Sequence, residues 1–426
     1  MRFRDLHPTT KRLLLARGFR SIGQGALVVD LALYLRAMGW SGFAIGLVLS
    51  AAGLFGASLS LGVGVASDRL RRKPFLLTYE GIVLICSTIA FATAERVVLI
   101  AVIIIAGFGR GAGGAAGPFS PVEQAWLAEE VAPERRGRVY SLNTALGFFG
   151  MGIGSFLAIL PSITSRFYPP SGVAGTLHPL AYRPLFLVVA GATIANLMLL
   201  WNAREQYNVS RRLAARKTET VDVEKLRQEN HMLTGLVVLN SFNGMAIGFT
   251  GPLISYWFAI KFGIGPAAIA PVMGTTFVIT AVASLLTGRM TEKIGIVRSV
   301  VWARVFGLAM LIALPLMPFY WLASLVYILR SAFNRGSVGA RQALTVGLVG
   351  DERRGLATSL NAVSMQVPQS VGPSIAGYLF SAGDLALPFY IGALLQGVYV
   401  LAYGRFFREY NMPQSPVAPP DDSQES

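Results

Sequence analysis

Gly64-Val65-Ala66-Ser67-Asp68-Arg69-Leu70-Arg71-Arg72-Lys73 is the stretch whose reading decides the fold. Its last six residues hold one acid and four bases, directly after an apolar run from Phe43 to Ala66 and just before another that opens at Pro74. The device recurs 224 residues later as Gly288-Arg289-Met290-Thr291-Glu292-Lys293-Ile294-Gly295. In each copy a glycine (Gly64 or Gly288), three residues, an acid (Asp68 or Glu292) and a base (Arg69 or Lys293) follow in that order. A charged knot between two bilayer-length apolar runs reads as the cytosolic mouth of a helix pair. A carboxylate there can accept hydrogen bonds from the first backbone N–H groups of the next helix. The bases, Arg72 among them, face anionic headgroups, and the glycine lets another helix come close.

Composition agrees with that reading. Of 426 residues, 53% are hydrophobic and only 14% charged, against about 25% charged in soluble domains. Repeated apolar runs of near-spanning length make an integral membrane protein the expectation. The spans should be helical, because a helix satisfies its own backbone hydrogen bonds in lipid; the alternating segments of a barrel are absent from the sequence. The net charge of +15 does not point to nucleic acid, since the bases alternate with the apolar runs along the chain. The single cysteine, Cys86, excludes an intrachain disulfide and a cysteine-rich metal site. His7, His178 and His231 fall in termini or loops. No Walker-type phosphate loop is present. Neither a metal, a cofactor nor an enzymatic centre is therefore expected. Arg2, Arg4, Lys11 and Arg12 lead into a helix and not into a small-residue cleavage site, so no signal peptide is expected.

The apolar pattern predicts an all-α polytopic protein of twelve transmembrane helices. The first six fall at 14–37, 43–65, 74–94, 97–127, 139–160 and 184–202. The second six fall at 232–259, 267–288, 299–317, 319–347, 357–380 and 386–405. Two six-helix bundles, 1–202 and 232–408, are joined by a cytosolic linker at 203–231 and followed by a polar, proline-rich tail at 409–426 that is expected to be disordered. Placing both termini in the cytosol puts most Lys and Arg inside and leaves only Arg36, Arg96, Arg166, Arg183 and Lys261 in outer loops. The halves repeat: Glu134-Arg135-Arg136-Gly137-x-x-x-Ser141-Leu142-Asn143 returns as Glu352-Arg353-Arg354-Gly355-x-x-x-Ser359-Leu360-Asn361, an offset of 218.

The Gly64–Lys73 stretch resembles the loop signature of the major facilitator superfamily, G-x-x-x-D-[RK]-x-G-[RK]-[RK], with Arg71 where that family usually has glycine. With the second copy and the internal repeat, the resemblance covers nearly the whole chain. It implies two pseudo-symmetric six-helix bundles with a substrate held between them, and a cavity lined by the first, fourth, seventh and tenth helices. It also implies a gate in which Asp68, a following base and an acid ending the fourth helix, Glu129 or Glu130, form a lock. Arg110 begins Arg-Gly-Ala-Gly-Gly-Ala-Ala-Gly, similar to the fourth-helix motif that proton-driven members tie to proton transfer. The chain resembles the drug/proton antiporter-like branch. Antiporters often carry a fifth-helix motif ending Gly-Pro-x-x-Gly-Gly; here the fifth segment reads Gly147 to Gly154 without proline, and Gly372-Pro373 to Gly377 stands in the eleventh.

Charges inside membrane helices are costly and mark a pathway or a partner. Asp30 in the first helix and Arg110 in the fourth are expected at similar depth, as a proton-coupling pair whose acid ionises more readily beside its base, or as a static pair. Glu123 aligns with Arg341 by the repeat, and Glu80 with Arg304, which suggests opposite charges facing across the pseudo-two-fold axis. Glu123 and Arg341 read either as a substrate site in the cavity or as a lock between the bundles, whereas Glu80, about two turns into its helix, reads rather as a residue with a structural partner or one that snorkels. Arg330 and Arg341 share a face of the tenth helix while Arg335 points elsewhere; such arginines suit an anionic substrate. Gln24, Asn240 and Asn243 are hydrogen-bonding candidates, alternatively interhelical glue. The leading expectation is a monomeric secondary transporter of the cytoplasmic membrane that exports a small organic molecule by proton coupling. The alternatives are a proton symporter importing an organic anion, and a receptor of this fold that does not transport.

Overall fold

The computed structural model describes residues 6–67, 71–109, 120–131, 133–205, 223–338, 341 and 354–408. They form α1 Pro8–Ala37, α2 Gly42–Ser67, α3 Arg72–Ala92, α4 Arg96–Ala106, α5 Ser120–Glu130, α6 Pro133–Leu157, α7 Leu160–Thr164 and α8 Pro184–Asn202 in the first half. The second half holds α9 Val223–Thr250, α10 Ile254–Phe262, α11 Pro266–Ile294, α12 Ile296–Ala313, α13 Tyr320–Gly336, α14 Arg354–Ser381 and α15 Leu387–Phe406. No strand occurs among the described residues.

Among the described residues, eight segments are long and apolar enough to cross a membrane, and they fill eight of the expected positions. The first, fourth, tenth and eleventh are filled by α1, by α4 with α5, by α13 and by α14. α1 has 30 residues but carries Arg17, Arg20 and Asp30; α14 has 28, with Pro368 and Pro373 inside. α4 and α13 are short, at 11 and 17 residues. Three of these four positions are those the family resemblance assigns to the cavity wall.

The seventh span departs from a single expected helix. α9 ends at Thr250 and α10 restarts at Ile254. Pro252 has no N–H to give, and its ring conflicts with the carbonyl one turn back. The helix therefore breaks at Gly251–Leu253.

Lipid is as apolar as a leucine side chain, so helices in a bilayer associate through close packing and hydrogen bonds. Small residues supply the approach. A Cβ on Gly25 would overlap the Met151 carbonyl, where α1 crosses α6, and one on Gly46 would overlap the Pro373 carbonyl, where α2 crosses α14. The α2–α14 crossing joins the two halves and is closed by hydrogen bonds from Phe43 N–H to Ser381 Oγ at 3.0 Å and from Ser374 N–H to Ser50 Oγ at 3.1 Å. A second crossing between the halves, of α6 with α11, stacks the Phe148 ring on Phe277, 6.4 Å between centroids. Elsewhere the helices turn large side chains outward at helical spacing: on α15 Leu394, Val398 and Leu401 are exposed while Phe389, Ala393, Tyr399 and Tyr403 are buried.

The packed interior divides by depth. At the end carrying the connections 38–41, 158–183, 263–265 and 382–386, one core contains residues of both halves, from Leu31, Leu49 and Phe186 to Trp257, Phe258 and Phe389. At the opposite end, which carries residues 8, 72, 202 and 406, each half keeps its own core. Leu13, Leu76, Trp126 and Leu200 belong to the first, and Leu236, Val300, Tyr403 and Phe407 to the second.

Candidate functional site

The first half centres its charge on Arg20. Its guanidinium donates from Nε to Glu80 of α3 and from Nη1 to Glu123 of α5, with all three residues buried. Arg17, three residues back on α1, lies within electrostatic range of Glu123 and Arg20 and rests over Gly147 of α6. Two bases thus balance two acids. This corrects the expected pairs Glu123–Arg341 and Glu80–Arg304. A pseudo-two-fold axis relates two positions without bringing them together, and a guanidinium on the neighbouring helix was closer. Arg17 and Arg20 were absent from the candidates, although their spacing of three places both on one face of the first helix.

Asp30 lies nearly three turns beyond Arg20 on α1. It is fully buried, and neither carboxylate oxygen has a hydrogen-bond partner among the described residues. Tyr182 lies within electrostatic range of it, and the Tyr182 ring stands 5.9 Å from that of Tyr34, one turn along. Arg110 lies outside the described residues. The chain just before it reaches α1, for a Cβ on Gly109 would meet Leu31, the residue after Asp30, and Leu49. Gln24 is half-buried, with Oε1 unpartnered.

In the second half the polar residues converge on Arg304 of α12. Its Nη1 donates to Asn243 Oδ1 of α9 at 2.9 Å, and its guanidinium lies 5.4 Å from the Tyr399 ring centroid. Gln396 Nε2 donates to the Arg304 carbonyl and Asn334 Nδ2 donates to Gln396 Oε1, both at 3.4 Å. Arg330 of α13 donates to Thr250 Oγ1 at 3.0 Å, at the last residue before the break in the seventh span. Asn240 is turned away, donating to Asn361 Oδ1 at 2.8 Å and tying α9 to α14. Arg335 leans on the Phe277 ring and donates to the Tyr327 hydroxyl at 3.2 Å, off the face of Arg330, as the helical spacing predicted. Arg341 is half-buried and lies within electrostatic range of Arg304, as does Arg330. Gln396, Tyr399, Tyr403 and Asn334 were not among the expected residues.

At the terminal end, Asp68 and Arg69 lie outside the described residues, and Gly64, Glu129, Gly288, Glu292 and Lys293 are placed on their helices by backbone alone. The carboxylate that accepts the first N–H groups of α3 is Glu205, from Arg72 at 2.8 Å and Lys73 at 3.2 Å. The Arg72 side chain is buried. Lys73 Nζ caps the end of α8 by donating to the carbonyls of Trp201 at 2.6 Å and Ala203 at 2.9 Å. Of the acids ending α5, Glu130 receives the Trp126 indole N–H at 3.2 Å and faces His7 Nδ1 at 3.3 Å.

Two bundles, polar groups buried between packed helices and the repeated charged turn recur together in one family, whose profile, that of the Major Facilitator Superfamily, matches residues 13–331 and 236–425. The chain belongs to the major facilitator superfamily. Solved superfamily structures share the fold at low identity. A bacterial homologue of the human lysosomal transporter Spinster, in an inward-facing and occupied conformation, superposes with a TM-score of 0.69 at 15% identity, over 95% of this chain and 96% of the other. The nucleoside transporter NupG gives 0.66 at 13%, over 94% and 100%, and a D-xylose–proton symporter 0.64 at 16%, over 93% and 97%. No curated protein matches the sequence significantly. Identities this low establish the superfamily fold alone; which small molecule a site takes rests on the side chains of this chain.

Proposed function

We propose that the chain is a proton-coupled secondary transporter of a small organic molecule. It works by alternating access as a monomer in the cytoplasmic membrane, with both termini cytosolic. The observation that carries this reading is the division of the interior: one core shared by both halves at the connector end, and a separate core in each half at the terminal end. Such a molecule is closed on one side and hinged about its middle. Rocking 1–202 against 232–408 would trade one closed end for the other around a midplane site. With the termini inside, the conformation corresponds to the inward-facing state named for the Spinster homologue. The turns at Gly64–Arg72 and Gly288–Lys293, with Glu129, act as gate elements at the terminal end.

Asp30 supports the proton. An ionised carboxylate buried without a partner carries a desolvation cost of several kcal/mol, and taking up a proton removes it. Arg110, ten residues before the start of α5, is proposed to share that role. Between the two directions of transport, export rests on resemblance to the antiporter-like branch. Proton-coupled import of an organic anion draws on a feature of this chain. Arg304 and Arg330 are buried and no carboxylate pairs with either among the described residues.

Flux in proteoliposomes loaded with a pH-sensitive dye tests the reading. A panel of small organic anions, neutral molecules and cations is added under an imposed pH gradient. Substrate-dependent proton movement is expected for at least one member. Binding of a panel member with no movement of it or of protons would make the chain a receptor and overturn the transport reading.

A further inference from the structure

We infer that the interior of the second bundle holds an anion site, in which Arg304 and Arg330 take the carboxylate or phosphate group of the transported molecule. The inference deepens the import reading above and rests on it for the claim that the anion moves.

Two buried guanidiniums on adjacent helices repel each other and have lost their water. Gly307 brings α12 against α13 at Asn334 and the Arg330 carbonyl, and so sets Arg304, one turn earlier on α12, within electrostatic range of Arg330. Buried charges are ordinarily paired. In the first bundle they are, as Arg20 shows with Glu80 and Glu123. Between 232 and 408 the only acids in the sequence are Glu292, Asp351, Glu352 and Asp384. Glu292 lies in the last turn of α11, and Asp384 caps the connector before α15 through Ala386 and Leu387. The chain itself thus provides no counter-charge for Arg304 or Arg330 among the described residues, and a diffusible anion would supply one.

The surroundings carry unused hydrogen-bonding capacity of the matching kind. The Nε atoms of Arg304 and Arg330, the hydroxyls of Tyr399 and Tyr403 and the Asn334 Oδ1 are buried without a partner. Four of these five are donors, which is what an anion's oxygens need. Buried polar groups in native proteins are almost always satisfied, so several orphaned donors in one place mark a position that another molecule completes. The Tyr399 and Tyr403 rings, 5.4 Å apart, wall the cluster on the α15 side. The break in the seventh span lies next to Arg330 through Thr250, where broken transmembrane helices commonly face a ligand. Planar guanidiniums favour carboxylate or phosphate over a monatomic anion, because the two oxygens match their paired N–H groups.

Thermal unfolding of the purified full chain in detergent tests the site, with succinate, glycerol 3-phosphate, glycerol, tetraphenylphosphonium and sodium chloride at matched ionic strength. Succinate or glycerol 3-phosphate is expected to raise Tm with concentration, by binding the native state, while glycerol and sodium chloride do not; whichever anion acts identifies the recognised group. Arg304→Gln should abolish the shift. Tyr399→Phe/Tyr403→Phe keeps both rings, so it folds even if the arginine variant does not, and should weaken the anion roughly tenfold or more, the worth of a hydrogen bond to a charged group. Stabilisation by neither anion, or equal stabilisation of wild type and the tyrosine variant, overturns the anion site. If flux in proteoliposomes is then found for a neutral or cationic molecule, the transport reading survives without it. An anion that binds as expected but drives no flux leaves the site standing and removes the transport reading instead.

Discussion

The Arg20 guanidinium donates from Nε to the Glu80 carboxylate inside the first bundle, with 6% and 1% of the two side chains exposed. A second bond, from Nη1 to Glu123, makes Arg20 the only described cation bonded to both acids. Breaking a buried pair by removing one partner typically costs about 3–5 kcal/mol, because the other charge is stranded. Arg20→Met strands two carboxylates and should lower the thermal midpoint severely. Glu80→Gln leaves Arg20 its bond to Glu123 and should be milder. Thermal unfolding of both variants in the same detergent checks the order, and equal loss would show that the network is not organised about Arg20.

Glu205 closes the first turn of α3 from a position 133 residues away in sequence. Glu205→Ala removes the acceptor for two N–H groups, a loss of about 1 kcal/mol by analogy with helix caps. The effect should be local. Hydrogen exchange at the amides of Arg72 and Lys73 is expected to speed up several-fold, with little change in the global midpoint. Unchanged exchange at those amides would show that the cap does not hold the turn.

The fold was far more legible in the sequence than the pairing was. Bilayer-length apolar runs and the charged turn at Asp68 and Glu292 mark spans and halves directly, since both depend on local composition. Partner choice does not. Glu80 and Glu123 find Arg20 across separations of 60 and 103 residues, and repeat alignment pointed instead to Arg304 and Arg341, which occupy equivalent places without sharing a place. The break at Pro252 was readable from proline chemistry, yet the apolar run through it masked the interruption. On α15, Gln396, Tyr399 and Tyr403 fall at spacings of three and four, one face of a helix. What they face, Arg304 on α12 and Asn334 on α13, is set by helix packing across separations of more than sixty residues, which no local pattern carries.

The seam between the halves should respond to bulk. A Cβ on Gly377 would overlap the Gly42 carbonyl, and neither helix backbone can yield cheaply. Gly377→Val should force α14 from α2 and loosen the connector end. Phe43→Cys in a Cys86→Ala background is a reporter beside that crossing. Its maleimide labelling in intact membranes is expected to rise several-fold with Gly377→Val. A rate that does not change would mean that the α2–α14 contact is not what closes this end.

The proposed proton coupling turns on Asp30. The carboxyl is 0% exposed and both oxygens lack a hydrogen-bond partner among the described residues, while the equally buried Glu80 and Glu123 each hold a guanidinium. A structural acid would be expected to show a partner of that kind. An acid that must change its protonation once per cycle is better left without a fixed one, because a permanent ion pair would hold it ionised. Asn at this position keeps the volume and the neutral form of the acid but cannot release a proton. Asp30→Asn should therefore abolish flux driven by a pH gradient and preserve substrate binding and counterflow exchange. The pair reading with Arg110 makes the opposite statement about a double variant: if the two residues serve only to neutralise each other, Asp30→Asn/Arg110→Gln should fold and recover proton-driven flux. Measured side by side in proteoliposomes, exchange without proton-driven flux in Asp30→Asn supports the carrier, and recovery in the double variant rules it out.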